Sequence, residues 1–326
     1  MNDIIVGLQH GDEGKGKVTK FYVGAGEYDY CVRFNGGPNA GHTVYHNGEQ
    51  FITHQIPTGI FNNIKCMIGT GCVIDLDKLK EEIEQLEKSG INVRDNLKIS
   101  KFANVITKRH IAEDKTTDKI GSTKSGIRPV YRDKYDRKGI RMNEIYNTFG
   151  CAIVDPYIEL KKASRILFEG AQGFELDIDS ENYPYVTSSH CLAGHINTTG
   201  VSIKTIGDII GVCKIYDTYV GLRLFQGFDI DLEGLGELGE EVGSTTGRKR
   251  QCNWLNLDRL IRAIDINGVN VLIINKCDII KKLGKFKLYH NTELVKFDTF
   301  EEMKEYIENN LKGEISIRFS KSKNVI

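Results

Sequence analysis

Apolar positions fall along this chain in two rhythms. Short, nearly unbroken runs occupy 3–8, 30–34, 66–68, 165–168, 209–215 and 271–274, most of them rich in β-branched residues. Runs of that length and continuity predict strands covered on both faces, as in a parallel sheet. Between them the apolar residues stand three or four apart. Leu79, Ile83 and Leu86 do so within 77–88, and Leu257, Leu260, Ile261 and Ile264 within 256–266. Met303, Ile307 and Leu311 repeat the spacing near the end of the chain. This rhythm predicts helices with one buried face, and Gly90 supplies a stop for the first of them. The alternation implies an α/β fold: one large domain, 1–326, with a mostly parallel central sheet flanked by helices. The stretch 113–141 carries many charges and few apolar residues, so it reads as a solvated loop, or as one that orders when ligand binds.

Charge narrows the class. Lys plus Arg number 44 and Asp plus Glu number 44, a formal net charge of zero. That argues against nucleic acid or an anionic membrane surface as the main partner. No apolar run is long enough to span a bilayer, and the first residues lack a signal-peptide pattern. The eight cysteines are scattered with no C-x-x-C pair, as expected of reduced thiols in a cytoplasmic protein.

The first apolar run ends at Gly11-Asp12-Glu13-Gly14-Lys15-Gly16-Lys17. A strand feeding a glycine-rich turn lets backbone N–H groups cradle phosphate oxygens, and two lysines add charge for them. The spacing nearly fits a P-loop, but Val18 stands where Ser or Thr would hold magnesium. The acidic pair needs its own explanation. Carboxylates repel phosphate unless a cation bridges them or one of them moves a proton.

Further blocks follow: Gly36-Gly37-Pro38-Asn39-Ala40-Gly41-His42-Thr43, Gly121-Ser122-Thr123, Phe168-Glu169-Gly170-Ala171-Gln172-Gly173 and Tyr183-Pro184-Tyr185-Val186-Thr187-Ser188-Ser189. Ser244-Thr245-Thr246-Gly247-Arg248-Lys249-Arg250 and Asn275-Lys276-Cys277-Asp278 complete the set. In order and content these blocks resemble the adenylosuccinate synthetases, over most of the chain. The resemblance implies a GTP- and Mg²⁺-dependent ligase that joins L-aspartate to C6 of a 6-oxopurine nucleoside monophosphate through a 6-phosphoryl intermediate. It also implies a homodimer.

Residue by residue, the resemblance makes Asp12 the base at N1 and His42 the group that meets the transferring phosphoryl. Lys15 would neutralise that phosphoryl and Gln172 would hold the purine edge. Asp12 and the Gly41 carbonyl would hold Mg²⁺. The acceptor nucleotide would meet Asn39, Ser122, Thr123, Thr187, Val220 and Arg248, with Arg137 donated across the dimer. Thr245, Thr246 and Arg248 would receive aspartate. The donor would lie along Glu13, Gly14, Lys15, Gly16, Lys17, Gly41, His42, Thr43 and Arg250. Its base would be read by Lys276 and Asp278, with Ser316 behind it, since an Asp carboxylate accepts both the N1 and 2-amino hydrogens of guanine.

Three departures bear on specificity. His10 replaces a usual tryptophan, Ser316-Ile317-Arg318-Phe319 replaces the C-terminal donor loop, and Leu222-Arg223-Leu224-Phe225 replaces a small flexible run after Val220. With the compact length, that bulk beside the ribose tilts the expected acceptor from IMP towards dGMP, the substrate of viral relatives that make 2-aminoadenylosuccinate nucleotides. A GTP-binding switch that kept the pocket and lost ligation is the alternative of another class.

Overall fold

The computed structural model describes residues 1–116, 120–243 and 247–320. Its centre is a nine-stranded sheet whose neighbouring strands all run parallel. Across the sheet the strands are Ser316–Phe319, Val271–Asn275, Ile206–Lys214, Asn2–Gly7, Ile166–Glu169, Tyr30–Arg33, Lys65–Ile68, Leu97–Ser100 and Ala152–Val154. All six expected strands fall in it within a few residues of their expected bounds.

The unbroken apolar runs are explained by the two cores they feed. Ile4, Val6, Val32, Phe168, Leu272 and Ile274 join one buried cluster, while Ile5, Cys31, Leu167, Val212 and Ile273 join the other. Successive residues of a strand point to opposite faces, so burial on both faces needs every position apolar. Helices Leu257–Asn267 and Phe300–Asn310 cover the first face. Helices Lys15–Ala25 and Leu76–Lys88 cover the second. Side-chain caps start three of these helices: Asp75, Asn256 and Thr299 each accept a backbone N–H from three residues on.

The stretch 113–141 departs from its expected loop. It contributes to helix Lys108–Thr116 and forms helix Ile127–Tyr135. Ile127, Val130 and Tyr131 bury against Val73 and Ile106. Much of the charge is spent internally: Arg132 pairs with Glu113 at 2.5 Å, Asp133 with Arg109 and His110, and the Gly126 N–H donates to Asp114.

A second, four-stranded sheet runs Tyr216–Tyr219, Gln251–Asn256, Phe286–His290, Glu293–Phe297, and a hairpin joins His42–His46 to Glu49–Thr53. All eight cysteines are free and buried. Among the described residues no helix is long and apolar enough to cross a membrane.

Candidate active site

A cavity of about 1170 Å³ opens at the carboxyl ends of the central strands, where α/β sheets place their ligands. Strand Asn2–Gly7 delivers the 11–17 turn into it, and helix Lys15–Ala25 begins there with Gly14 at φ 92° as its N-cap. A turn of backbone amides at a helix N-terminus is a phosphate seat. Glu13 holds that seat in shape. Its buried carboxylate accepts from the Gln9 and Gly11 amides at 3.2 and 2.9 Å and from Lys15 Nζ at 2.5 Å. Gly7 leaves room for it, because a Cβ there would lie 2.6 Å from both carboxylate oxygens. Glu13 was expected to bind donor. Its side chain serves the turn, and its backbone is the part left to meet phosphate.

His42 reaches the cavity from the hairpin and packs on Gly16, where a Cβ would fall 2.7 Å from the His42 Cβ. Its Nδ1 touches Glu169, which also accepts from Arg33 at 3.0 Å and from the Thr58 amide at 2.7 Å. Burial pushes the Glu169 pKa up, but Arg33 and then His42 outweigh it and hold the carboxyl at about 2. Burial, with Arg33 second, lowers His42 to about 4, so the ring is neutral near pH 7. An ionised carboxylate at Nδ1 fixes the proton there and leaves Nε2 as the free ring nitrogen. Arg33 and Glu169 were not among the expected site residues. Glu169 stands in the 168–173 block, but nothing local gives it a role, which comes from the strand pairing that sets Arg33 beside it.

Asp12, Gln172 and Lys276 all line the cavity and all adopt left-handed backbone, with φ of 60°, 56° and 64°. Such conformations cost a non-glycine residue about 1–3 kcal/mol and cluster where function fixes the geometry. Asp12 accepts from Arg250 Nε at 2.8 Å. Arg250 also donates to Glu241 at 2.5 Å, so it links the expected base to a second buried acid. Lys214 and Lys276 lie 3.4 and 3.7 Å from that acid, and Tyr216 donates to it at 2.6 Å. Burial alone raises the Glu241 pKa, yet Lys214, Arg250 and Lys276 bring it to about 2.

Asn39, Gly41, Thr43, Ser122, Thr123, Thr187, Val220, Arg248 and Asp278 line the same cavity. Among the described residues, several buried polar atoms on its wall find no hydrogen-bond partner: Gln172 Nε2, Asn39 Oδ1, Asn275 Oδ1 and His10 Nδ1. Burying such groups unpaired is costly, so each is a socket that a ligand group would fill.

Not every expected residue arrives there. Arg137 is exposed and outside the cavity. Thr245 and Thr246 lie outside the described residues, though Gly243 and Arg248 on either side line the wall. Ser316 is exposed at the start of its strand, opposite Val271, whereas the cavity lies at the strand ends. Parallel pairing carries that strand on to Phe319, and the buried Ser320 accepts from Lys17 Nζ at 2.8 Å. The bulky 222–225 run lies behind the cavity wall rather than on it. Leu222 and Leu224 are exposed, and Arg223 turns back to Asn182 at 2.6 Å and to His10. None of the four lines the cavity itself, but Leu222 donates its amide to the Ile120 carbonyl and Phe225 packs on His10 and Tyr219, and Ile120, His10 and Tyr219 all do.

A phosphate seat, a carboxylate and an oriented imidazole in one cavity over a parallel sheet define an enzyme of nucleotide phosphoryl transfer. More specifically, the chain belongs to the adenylosuccinate synthetase family, whose profile matches residues 4–155 and 151–312, and it is a GTP-dependent ligase. The adenylosuccinate synthetase of Thermodesulfovibrio yellowstonii is 39% identical over 338 residues, covering 87% of this chain and 79% of that protein. That of Xylella fastidiosa is 37% identical over 342 residues with the same coverages. The fully ligated adenylosuccinate synthetase of Plasmodium falciparum superposes with a TM-score of 0.79 at 30% identity, covering 93% of this chain and 85% of that one. The cyanophage S-2L succinoaminodeoxyadenylate synthetase, bound to dGMP and to dATP as energy donor, shares the fold. Its TM-score is 0.72 at 21% identity, covering 94% and 98%.

Proposed function

We propose that the chain joins L-aspartate to C6 of a 6-oxopurine nucleoside monophosphate, with GTP as phosphoryl donor. The observation that carries this reading is that Asp12, His42 and Gln172 meet in the cavity that also holds the phosphate seat. An oxo group leaves poorly, so O6 must first be phosphorylated. Asp12 would take the N1 proton, making O6 the nucleophile. Gln172 Nε2, without a partner, would donate to the purine edge, and Lys15 would offset charge on the phosphoryl in flight. His42 starts neutral; an arriving phosphoryl dianion would favour its protonated form, held in place through Nδ1 by Glu169. Thr245, Thr246 and Arg248 would take the aspartate carboxylate.

The donor set at Asp12 and the Gly41 carbonyl, hard oxygens beside two lysines of the phosphate seat, suits Mg²⁺. Held there, Mg²⁺ would supply charge neutralisation for the donor phosphates. At the donor base, Asn275 Oδ1 lacks a partner and Asp278 lines the wall, which supports guanine over adenine. The exposed Arg137 would complete the phosphate site of a second copy in a homodimer. Mixing inactive Arg137→Leu with inactive Asp12→Asn subunits should then restore activity.

IMP is the acceptor favoured by the 37–39% identical relatives. dGMP is a second reading, supported by how fully the chain covers the dGMP-bound cyanophage structure. Asp12→Asn should cut turnover by roughly 10²–10⁴-fold while nucleotide binding survives. Near wild-type turnover in that variant removes Asp12 from the role of base. Phosphate release without aspartate or a purine monophosphate would point instead to a GTP-binding switch. Comparing kcat/KM for IMP, GMP and dGMP decides the acceptor, and GTP against ATP decides the donor.

A further inference from the structure

A second group of ligand-type side chains converges outside the residues that line the catalytic cavity. Asp177 and Asp179 open the loop 177–191 and His190 nearly closes it. One carboxylate oxygen of each Asp and one imidazole nitrogen all lie within 4.8 Å of one another. His190 Nδ1 is 3.4 Å from Asp177 Oδ1 and 3.7 Å from Asp179 Oδ2. Those gaps are long for hydrogen bonds, and the Nδ1 atom is buried without a hydrogen-bond partner. They are close to the ligand-to-ligand edges of a tetrahedral zinc site, about 3.3–3.6 Å for bonds of about 2.0–2.2 Å.

Electrostatics and orientation agree with a cation. Asp177 is only 2% exposed, and among the described residues no Lys or Arg forms an ion pair with it or with Asp179. Its carboxylate is already aimed: the Asp179 amide donates to Oδ1 at 3.0 Å and the Cys191 amide to Oδ2. Outer hydrogen bonds of this kind orient metal-binding carboxylates. The His190 ring lies flat on His195, with centroids 3.8 Å apart and an interplanar angle of 8°, which fixes its plane. The Asp179 side chain is 79% exposed, leaving a route in for an ion and a position for water.

We infer that Asp177, Asp179 and His190 bind one divalent transition-metal ion of the zinc type, with water as the fourth ligand. Carboxylate plus imidazole selects such ions over Ca²⁺ and Mg²⁺, which prefer all-oxygen sites. The ion acts as a clasp: it ties the start of the loop to its end, and residues 185–188 between them wall the catalytic cavity.

The test is Zn²⁺ titrated calorimetrically into the full chain, with excess Mg²⁺ present to occupy hard-oxygen sites. One equivalent should bind to the wild type and raise its Tm, by linkage. Asp179→Asn and His190→Asn should each weaken binding by more than 10-fold and lose the Tm shift. Asp179 is exposed enough that its variant should melt as the wild type does without zinc. Co²⁺ in place of Zn²⁺ should give the visible bands of a tetrahedral site in the wild type alone. Equal binding by the wild type and both variants, as zinc on the buried thiols would give, overturns the assignment, as does a wild type that binds none.

Discussion

Glu169 and Glu241 are both buried, both beside the catalytic cavity and both held at about 2 by neighbouring cations, yet they are built differently. Glu169 ends a central strand, and its partners are fixed by strand pairing, by the hairpin and by the Thr58 amide. Glu241 follows helix Asp231–Leu238 in a loop and gathers three cations, each with somewhere else to go. Arg250 also reaches Asp12, Lys276 donates to the Gly239 carbonyl and Lys214 to Thr218. Arg33 is less well supplied, since its Nε is buried without a partner. The difference separates a frame fixed by strand pairing, which orients His42, from one whose cations are shared with Asp12, Gly239 and Thr218.

The sharpest way to break that contrast is Glu169→Leu. Removing one member of a buried ion pair leaves the other charge uncompensated, at a cost of roughly 3–5 kcal/mol. Urea unfolding should show a loss of that size, and turnover should fall as well because His42 loses its orienting partner. A loss below about 1 kcal/mol would mean that Arg33 relaxes to water and that no fixed frame exists.

Glu241→Gln should cost less, about 1.5–3 kcal/mol, the range for hydrogen bonds to charged groups. Its kinetic effect should appear mainly as higher KM for GTP and aspartate, because Lys276 and Arg250 lose a common anchor. Equal damage from the two substitutions would collapse the distinction between the frames.

Acid titration separates them by pH window. A carboxyl whose folded pKa is depressed stabilises above its unfolded pKa and loses that contribution as pH falls through the folded value. Both glutamates therefore act between about pH 4.5 and 2. His42 and His10 work earlier and through the neutral ring. Burial lowers them to about 4 and about 3, so the unfolded chain takes up protons below about pH 6.5 that the folded chain refuses. Each histidine should contribute a fall of about 1.4 kcal/mol per pH unit from pH 6.5 downwards, opposed by the buried Asp217, whose carboxyl burial raises to about 7, and the two glutamates should add to the fall below 4.5. His42→Asn should remove its share of the slope between pH 6.5 and 4, and should weaken the acid limb as well, because Glu169 loses one of the two groups that hold its carboxyl down. An unchanged slope would mean that His42 is protonated in the fold.

The sheet was legible because burial on both faces leaves unbroken apolar runs such as Ile4-Ile5-Val6, and the phosphate seat because its glycines and lysines are contiguous. Glu169, Arg33 and Glu241 were not visible as a network, since Arg33 meets Glu169 across the sheet and Glu241 gathers Lys214 and Lys276 from other strand ends as well as the nearby Arg250. The helix Ile127–Tyr135 was hidden by charge that the fold neutralises internally. Ser316 was misplaced for a geometric reason. A motif position says which strand carries a residue, while the parallel register decides which end of the strand it occupies, and the cavity takes only the carboxyl end.

That last correction yields the smallest expected effect. Lys17 lines the cavity, donates to Ser320 at 2.8 Å, and is pushed by burial down to about 8, with Asp278 opposing the shift. A lysine that begins to lose its proton just above pH 7 gains from any acceptor that favours its charged form, and Ser320 is one. Ser320→Ala should therefore raise KM for GTP by about 2–10-fold, the equivalent of about 0.5–1.5 kcal/mol for one hydrogen bond. The rise should grow from pH 6.5 to 8 as the less supported lysine loses its proton. Ser316→Ala, at the far end of the same strand, should leave KM within about twofold, as surface changes usually do. If Ser316→Ala is the damaging change and Ser320→Ala the silent one, the donor base reaches round the edge strand, and the fixed wall of the donor site has been placed at the wrong end of the sheet.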